Sequence, residues 1–240
     1  MTYDISNKNT LVTGANRGIG KAIVESFLEH GASKVYAGAR SLNKAEALVA
    51  EFGEKVVPIE IDYENPASIK AAAEIADDVQ VVVSNAGVLI GASVMDEDVI
   101  EQFQTELNIN VYGLIRMAQA FAPVLKRNGG GAFVQINSIA SLSSFPRATY
   151  PASKAASYSF TQAIRHVFEE QGTAVLSVHP GPIATDMAAA SGLEDTDPPH
   201  VVSEGIVEAL REGNFHLFPD RMAKDFEKAY HNFAEAIIEA

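Results

Sequence analysis

The chain has 240 residues, 18 basic and 31 acidic side chains, a formal charge of −13 and no cysteine. The acidity argues against nucleic acid or an anionic membrane as partner, since neutralising phosphates needs a basic surface. The missing cysteines exclude disulfides, thiolate catalysis and Cys-ligated metals, and fit a reducing cytosol.

Hydrophobic residues make up 47% and charged residues 20%, which suits one folded domain over residues 1–240, a size that α/β chains reach without splitting. The start, Met1-Thr2-Tyr3-Asp4-Ile5, lacks the basic and apolar regions of a signal peptide. No apolar run approaches the ~20 residues needed to span a bilayer. A soluble cytoplasmic protein is expected.

Short apolar, β-branched runs at 10–13, 34–39, 56–61, 79–84, 131–136 and 174–179 read as strands. Helical patterns lie between them at 18–30, 42–52, 67–76, 97–109, 111–127 and 152–170. The run Val79-Gln80-Val81-Val82-Val83 is nearly continuous in apolar residues, as in a strand covered on both faces. Strand-helix alternation implies a single Rossmann-type α/β domain: a doubly wound parallel sheet with helices on both faces. The small-residue, Pro-containing and acidic stretch 188–199 reads as a mobile loop, within a substrate loop at about 187–200. The final part, about 213–240, follows no such alternation.

The first strand is followed by Thr13-Gly14-Ala15-Asn16-Arg17-Gly18-Ile19-Gly20, which opens the first helix. Glycines there let backbone approach a dinucleotide pyrophosphate, and a helix N-terminus favours its negative charge. No Gly-Lys-Ser/Thr follows, so a P-loop is excluded. The second strand ends in Gly38-Ala39-Arg40-Ser41, without the carboxylate that accepts from an NAD ribose hydroxyl. Arg40 and Arg17 instead suit a 2′-phosphate, which guanidinium groups grip by forked, charge-assisted hydrogen bonds. NADPH/NADP+ is the expected cofactor. Asp62, beside Tyr63 after the third strand, is placed either to accept from the adenine amino group or to form a turn or helix cap. Ser84-Asn85-Ala86-Gly87 closes the fourth strand, where a small-residue turn lines a cofactor or simply turns the chain.

Asn110 interrupts one long helical pattern, and an Asn side chain there competes for backbone hydrogen bonds. It serves either a water relay toward Lys154 or an interhelix hydrogen bond. Ser138 follows the fifth strand and is placed to bond a substrate carbonyl oxygen, with Ser141, Ser143 and Ser144 as competitors. Tyr150-Pro151-Ala152-Ser153-Lys154 puts a phenol and an ammonium one helical turn apart. A neighbouring ammonium favours the phenolate and lowers a phenol's pKa from about 10, which suits proton exchange. The sixth strand ends in His179-Pro180-Gly181-Pro182-Ile183-Ala184-Thr185, a turn able to hold one face of a nicotinamide, with Thr185 on its carboxamide. No histidine has ligand spacing with a carboxylate, so no metal is expected. No serine sits in a Gly-x-Ser-x-Gly elbow.

Taken together, Thr13–Gly20, Ser84–Gly87, Asn110, Ser138, Tyr150 with Lys154, and Pro180–Thr185 resemble the short-chain dehydrogenase/reductase family, in order, over roughly residues 8–186. The resemblance implies that Tyr150 is proton donor and acceptor, that Lys154 lowers its pKa and binds the nicotinamide ribose, that Ser138 orients the carbonyl oxygen and that Asn110 completes a water relay. It further implies cofactor contacts from Gly14, Asn16, Arg17, Gly18, Ile19, Gly20, Arg40, Asp62, Tyr63, Asn85, Ala86, Gly87, Pro180, Gly181, Ile183 and Thr185. The sequence departs from the family pattern at Ser84, where Asn is usual, and at Asn137, often Ser, and the Ser138–Tyr150 spacing is one residue short. Phe215-His216-Leu217-Phe218-Pro219-Asp220 replaces the C-terminal segment of the family's tetramers, which puts the tetramer in doubt and leaves a homodimer or monomer.

The expected reaction is reversible hydride transfer between NADPH and an aldehyde or ketone, with Leu89, Phe145 and Met187 as pocket candidates. The alternatives are an NAD-dependent alcohol dehydrogenase and a non-catalytic NADPH-sensing regulator.

Overall fold

In the computed structural model, which describes residues 1–238, six apolar runs become parallel strands and a seventh joins them. The strands are β1 (Asn9–Thr13), β2 (Lys34–Ala39), β3 (Val56–Glu60), β4 (Val81–Ser84), β5 (Gly131–Ile136), β6 (Thr173–Val178) and β7 (His216–Leu217). They form one sheet in the order β3-β2-β1-β4-β5-β6-β7, every pair parallel. The order reverses between β1 and β4, and at such a point the carboxyl ends of neighbouring strands open a crevice for a ligand.

The helices are α1 (Gly18–Glu29), α2 (Glu46–Phe52), α3 (Pro66–Ile75), α4 (Val99–Glu106), α5 (Gly113–Arg127), α6 (Thr149–Glu169), α7 (Asp186–Ala190), α8 (His200–Glu212) and α9 (Arg221–Phe233). Among the described residues none is long and apolar enough to cross a membrane.

Alternate strand residues feed two cores, as the pleat requires. Val12, Val81 and Val83 pack with Ile23, Phe27 and Ile206 on the α1 and α8 face. Leu11, Val82 and Phe133 pack with Met117, Phe121 and Phe168 on the α5 and α6 face. Phe133 meets Phe168 edge to face, centroids 5.5 Å apart. Both faces being covered explains why these strands read as unbroken apolar runs.

Two expectations are corrected. The 97–127 pattern is not broken at Asn110. Instead α4 passes through a π-helical turn, Leu107–Tyr112, into α5, so the extra residue is absorbed without a break. The stretch 188–199 is not a free loop: α7 opens it, and Asp197 anchors it through a parallel bridge to Ile183. Arg221 grips the same stretch, Nε on Asp197 Oδ1 at 2.8 Å and Nη2 on Asp195 Oδ1 at 2.6 Å. The C-terminal part, which departs from the family pattern in sequence, supplies β7 at the sheet edge and the helix α9 behind it.

Candidate active site

The glycine turn runs from β1 into α1 with Arg17 as its N-cap, and no side chain caps the helix N-terminus. The turn is tight because α1 packs directly on it: a Cβ on Gly20 would stand 2.1 Å from the Gly14 carbonyl oxygen. Asn16, Gly18 and Ile19 are half-buried in this turn. A close backbone cradle ahead of uncapped N–H groups fits a dinucleotide pyrophosphate.

Arg40 follows β2 and is exposed, and no carboxylate stands at that strand end. Arg17 is also exposed but is paired across the cleft mouth, Nη1 to Asp186 Oδ2 at 2.9 Å. Asp62 Oδ1 accepts from the Glu64 N–H at 3.0 Å, a local turn bond. The Tyr63 phenol lies inside the fold, 2.9 Å from Thr13 Oγ1 and 3.0 Å from Ser84 Oγ, and its carbonyl accepts from Arg116. Burial pushes this phenol up to about 12.

The turn after β4 is tied to the end of β1. Asn85 Nδ2 donates to the Thr13 carbonyl at 2.8 Å, and the N–H groups of Asn85 and Ala86 donate to Thr13 Oγ1 at 2.9 and 3.0 Å. Gly87 lies between two site groups: a Cβ there would be 3.1 Å from Asn110 Oδ1 and 3.7 Å from Lys154 Nζ. The Asn110 amide is fully committed, donating to Val88 O at 2.9 Å and Ser153 Oγ at 3.0 Å while Oδ1 accepts from Val88 N at 2.9 Å. Asn110 therefore ties the 87–88 backbone to α6.

Tyr150 and Lys154 fall on α6, one turn apart and both buried, with Lys154 Nζ 5.8 Å from the phenol ring centroid. Lys154 Nζ donates to the Ile136 carbonyl at 2.9 Å. Burial dominates and raises Tyr150 to about 12; a hydrogen bond with Ser138 pulls it down, and the charge of Glu106 adds to the rise. Burial also lowers Lys154 to about 8, against the pull of Glu106.

Of the competing serines, Ser138 is the one that acts on the phenol, favouring its ionised form. Ser141 is turned to His179 Nδ1 at 3.0 Å, and Ser143 and Ser144 are exposed. Ser138 Oγ is held by the Ala140 N–H at 3.1 Å and donates to Pro180 O at 3.3 Å. His179, fully buried and stacked on Phe218 at 5.1 Å, is held neutral: burial pushes it down to about 3. It braces Ser138 from behind through that residue's carbonyl.

The turn after β6 is fixed by Asp220, whose Oδ2 accepts the Gly181 N–H at 2.6 Å. Ile183 is buried, and Thr185 caps α7, accepting from Ala188 N at 3.3 Å. Leu89 is half-buried, whereas Phe145 and Met187 are 42% and 39% exposed.

Two acids escaped the sequence reading. Glu106 is fully buried, its Oε1 accepting from the N–H groups of Ile90 and Gly91 at 2.8 and 3.1 Å. A lone Glu on an amphipathic helix reads as solvent-facing, and only its spacing of one turn before Asn110 hints otherwise. Asp220 is the N-cap of α9; its bond to Gly181 is tertiary and leaves no local signature.

A glycine cradle at the point where a parallel sheet reverses, with a buried phenol and ammonium beside it, marks a Rossmann-type nucleotide-binding protein equipped to move protons. The chain belongs to the short chain dehydrogenase family of oxidoreductases, which matches it over residues 8–195. It is 32% identical over 230 residues to the short chain dehydrogenase pigC of Monascus ruber, covering 87% of this chain and 76% of that protein. An uncharacterized oxidoreductase of Staphylococcus aureus is 28% identical over 216 residues, 87% of this chain and 93% of the relative. Among solved structures, a short chain dehydrogenase of Burkholderia cenocepacia in complex with NADP superposes with a TM-score of 0.88 at 32% identity, over 98% of this chain and 97% of that one.

Proposed function

We propose that this protein reduces an aldehyde or ketone to the alcohol with NADPH, reversibly. The observation that carries the reading is the buried Tyr150 phenol with Lys154, also buried, one turn behind it on the same helix. NADPH would be held by the 14–20 turn, by the 85–87 turn and by the turn after β6, and bound there it supplies the hydride. Arg40, with no carboxylate at its strand end, favours a 2′-phosphate, in keeping with the NADP bound to the Burkholderia relative.

A phenol raised to about 12 stays protonated at neutral pH, the form needed to donate. Tyr150 Oη gives its proton to the oxygen of the substrate carbonyl as charge develops there. Ser138 Oγ, turning its proton from Pro180 O, donates a second hydrogen bond to that oxygen and holds it in place. Lys154 Nζ, lowered to about 8, can release a proton near that pH and restore the phenol. Leu89 lines the inner wall, with Phe145 and Met187 at an open mouth that admits varied carbonyl compounds.

The test is cofactor consumption by purified protein with NADPH and, separately, NADH across aldehydes, ketones and quinones. Turnover of a carbonyl with NADPH is the expected result. Turnover with NADH alone favours the NAD-dependent alternative. Tight NADPH binding without turnover of any compound favours a sensor, and binding of neither cofactor overturns the reading.

A further inference from the structure

Lys154 Nζ is held at the sheet by one oxygen, the Ile136 carbonyl at 2.9 Å. Ile136 ends β5, one residue past the last pair of the β4–β5 register, Ser84 with Gln135. The next N–H groups after β4, those of Asn85 and Ala86, have turned to Thr13 Oγ1. Side chains take the Ile136 carbonyl instead. Besides Lys154, Gln135 Nε2 donates to the same oxygen at 3.1 Å.

A carbonyl oxygen has two lone pairs, so the amide and the ammonium share it and neither can take the other's place. The Gln135 side chain is buried. Its Nε2 also donates to Ser157 Oγ at 3.4 Å, while its Oε1 is buried without a hydrogen-bond partner among the described residues. Leaving an acceptor bare in the interior is costly, and the reverse orientation of the amide would set Oε1 against the Ile136 oxygen. The N–H bonds therefore decide how this amide sits. An apolar side chain of the same length would fill the space without that cost, so packing alone does not account for a glutamine here.

The amide is anchored in turn. Ser157, one turn after Lys154 on α6, donates to Asn137 Oδ1 at 2.9 Å. Asn137 Nδ2 donates to Ser177 Oγ at 2.9 Å, and Ser177 Oγ lies 2.8 Å from His179 Nε2. His179 Nδ1 stands 3.2 Å from the Ser138 carbonyl oxygen. These side chains are all buried. One continuous chain of polar groups thus runs from the oxygen that holds Lys154 to the backbone of Ser138.

We infer that Gln135 is a positioning residue for Lys154, its amide confining the ammonium to one side of the Ile136 oxygen while the buried chain keeps that oxygen in register with Ser138. The inference rests on the carbonyl reductase reading. Gln135 does not touch the reacting carbonyl. It acts by keeping Nζ in its place behind the phenol, 5.8 Å from the ring centroid.

The experiment compares carbonyl reduction with NADPH by wild type, Gln135→Met and Ser157→Ala. Met keeps the length of the side chain and loses both donors. A reacting group held slightly out of place loses rate steeply, so kcat should fall about tenfold. KM for the carbonyl should stay within about twofold of wild type, because Tyr150 and Ser138 are unchanged. Ser157→Ala removes the amide's second partner and should lower kcat by about two- to threefold. A Gln135→Met protein with the wild-type kcat, or with KM raised and kcat kept, overturns the inference.

A second readout needs no turnover. In protein labelled with carbon-13 at the lysine ε-carbon, the Lys154 signal is identified by its loss in Lys154→Arg. The two ε-protons of a fixed lysine have separate shifts, which converge when the side chain turns freely. Those of Lys154 should be separate in wild type and converge in Gln135→Met. Lys34, tied to Asp78 and Tyr36 at 2.7 and 2.8 Å, is the control and should keep its separation in both. Lys154 protons that stay separate in Gln135→Met, or equal convergence at Lys34, overturn the positioning role. Absence of carbonyl turnover in wild type would defeat the functional reading and leave this comparison to decide the placement of Lys154.

Discussion

Asp220 Oδ2 accepts the N–H of Gly181 at 2.6 Å, and this one bond ties the N-terminus of α9 to the turn that ends β6. The same carboxylate caps α9, Oδ1 accepting from Ala223 N at 3.0 Å, and the whole side chain is buried at 2% exposure. The next residue, Arg221, holds Asp195 and Asp197. The C-terminal quarter thus fixes the turn that ends β6 and the stretch at 195–197.

Asp220→Ala leaves two N–H donors without their acceptor inside the protein. Each orphaned donor costs about 1–3 kcal/mol, so denaturant unfolding should show a loss within that range or somewhat above it. NADPH affinity should fall with it, because the 180–183 turn loses its anchor. Unchanged stability and unchanged affinity together would contradict the role given to this residue.

Cofactor choice depends on the two arginines unequally. Arg40 is exposed with no carboxylate at its strand end, whereas Arg17 is held by Asp186 in a pair whose side chains are 66% and 73% exposed. A pair so exposed is worth about 0–1 kcal/mol. A 2′-phosphate can therefore take Arg17 from it at little cost. Arg40→Asp is expected to weaken NADPH binding by about tenfold or more and to improve NADH relative to it. Asp186→Ala should leave NADPH binding equal or up to about fivefold tighter. Titration of cofactor fluorescence checks both; an Arg40→Asp protein that keeps its NADPH preference would contradict the assignment.

His179 makes stability depend on pH in a definite direction. Its pKa is about 3 in the folded protein against 6.5 for an ordinary histidine, burial being the main cause. The unfolded chain binds the extra proton first, so stability is complete above the unfolded value and is lost as pH falls from about 6.5 toward 3. At pH 5 this group alone would withdraw about 2 kcal/mol. Thermal unfolding of wild type should show that acid slope, and His179→Gln, which retains hydrogen-bonding capacity at the site, should flatten it. Parallel slopes in the two proteins would remove His179 as the cause.

Much of this site is legible in the chain because its chemistry is local. The glycine turn at 14–20, the 150–154 pair and the serine after β5 each depend on residues within a helical turn or a strand end, and the structure brings them to one edge of the sheet. What escaped depends on distance. The Tyr63 phenol finds Thr13 and Ser84, both far away in sequence. Glu106 and Asp220 look like surface or capping acids until the fold sets them against Ile90 and Gly181. The strand His216–Leu217 has two residues, too short for a period to show, and exists because the edge of β6 offers it partners. The raised Tyr150 follows the same logic: spacing reveals the lysine but not the burial that outweighs it.

The central claim is that Tyr150 Oη carries the transferred proton, and replacing it by Phe removes one oxygen from a site that is otherwise kept. The most direct measurement follows NADPH binding by fluorescence and NADPH consumption with a carbonyl substrate side by side in wild type and Tyr150→Phe. The account predicts binding within about twofold of wild type and turnover lower by about 10²-fold or more. Turnover in Tyr150→Phe at the wild-type rate would contradict it.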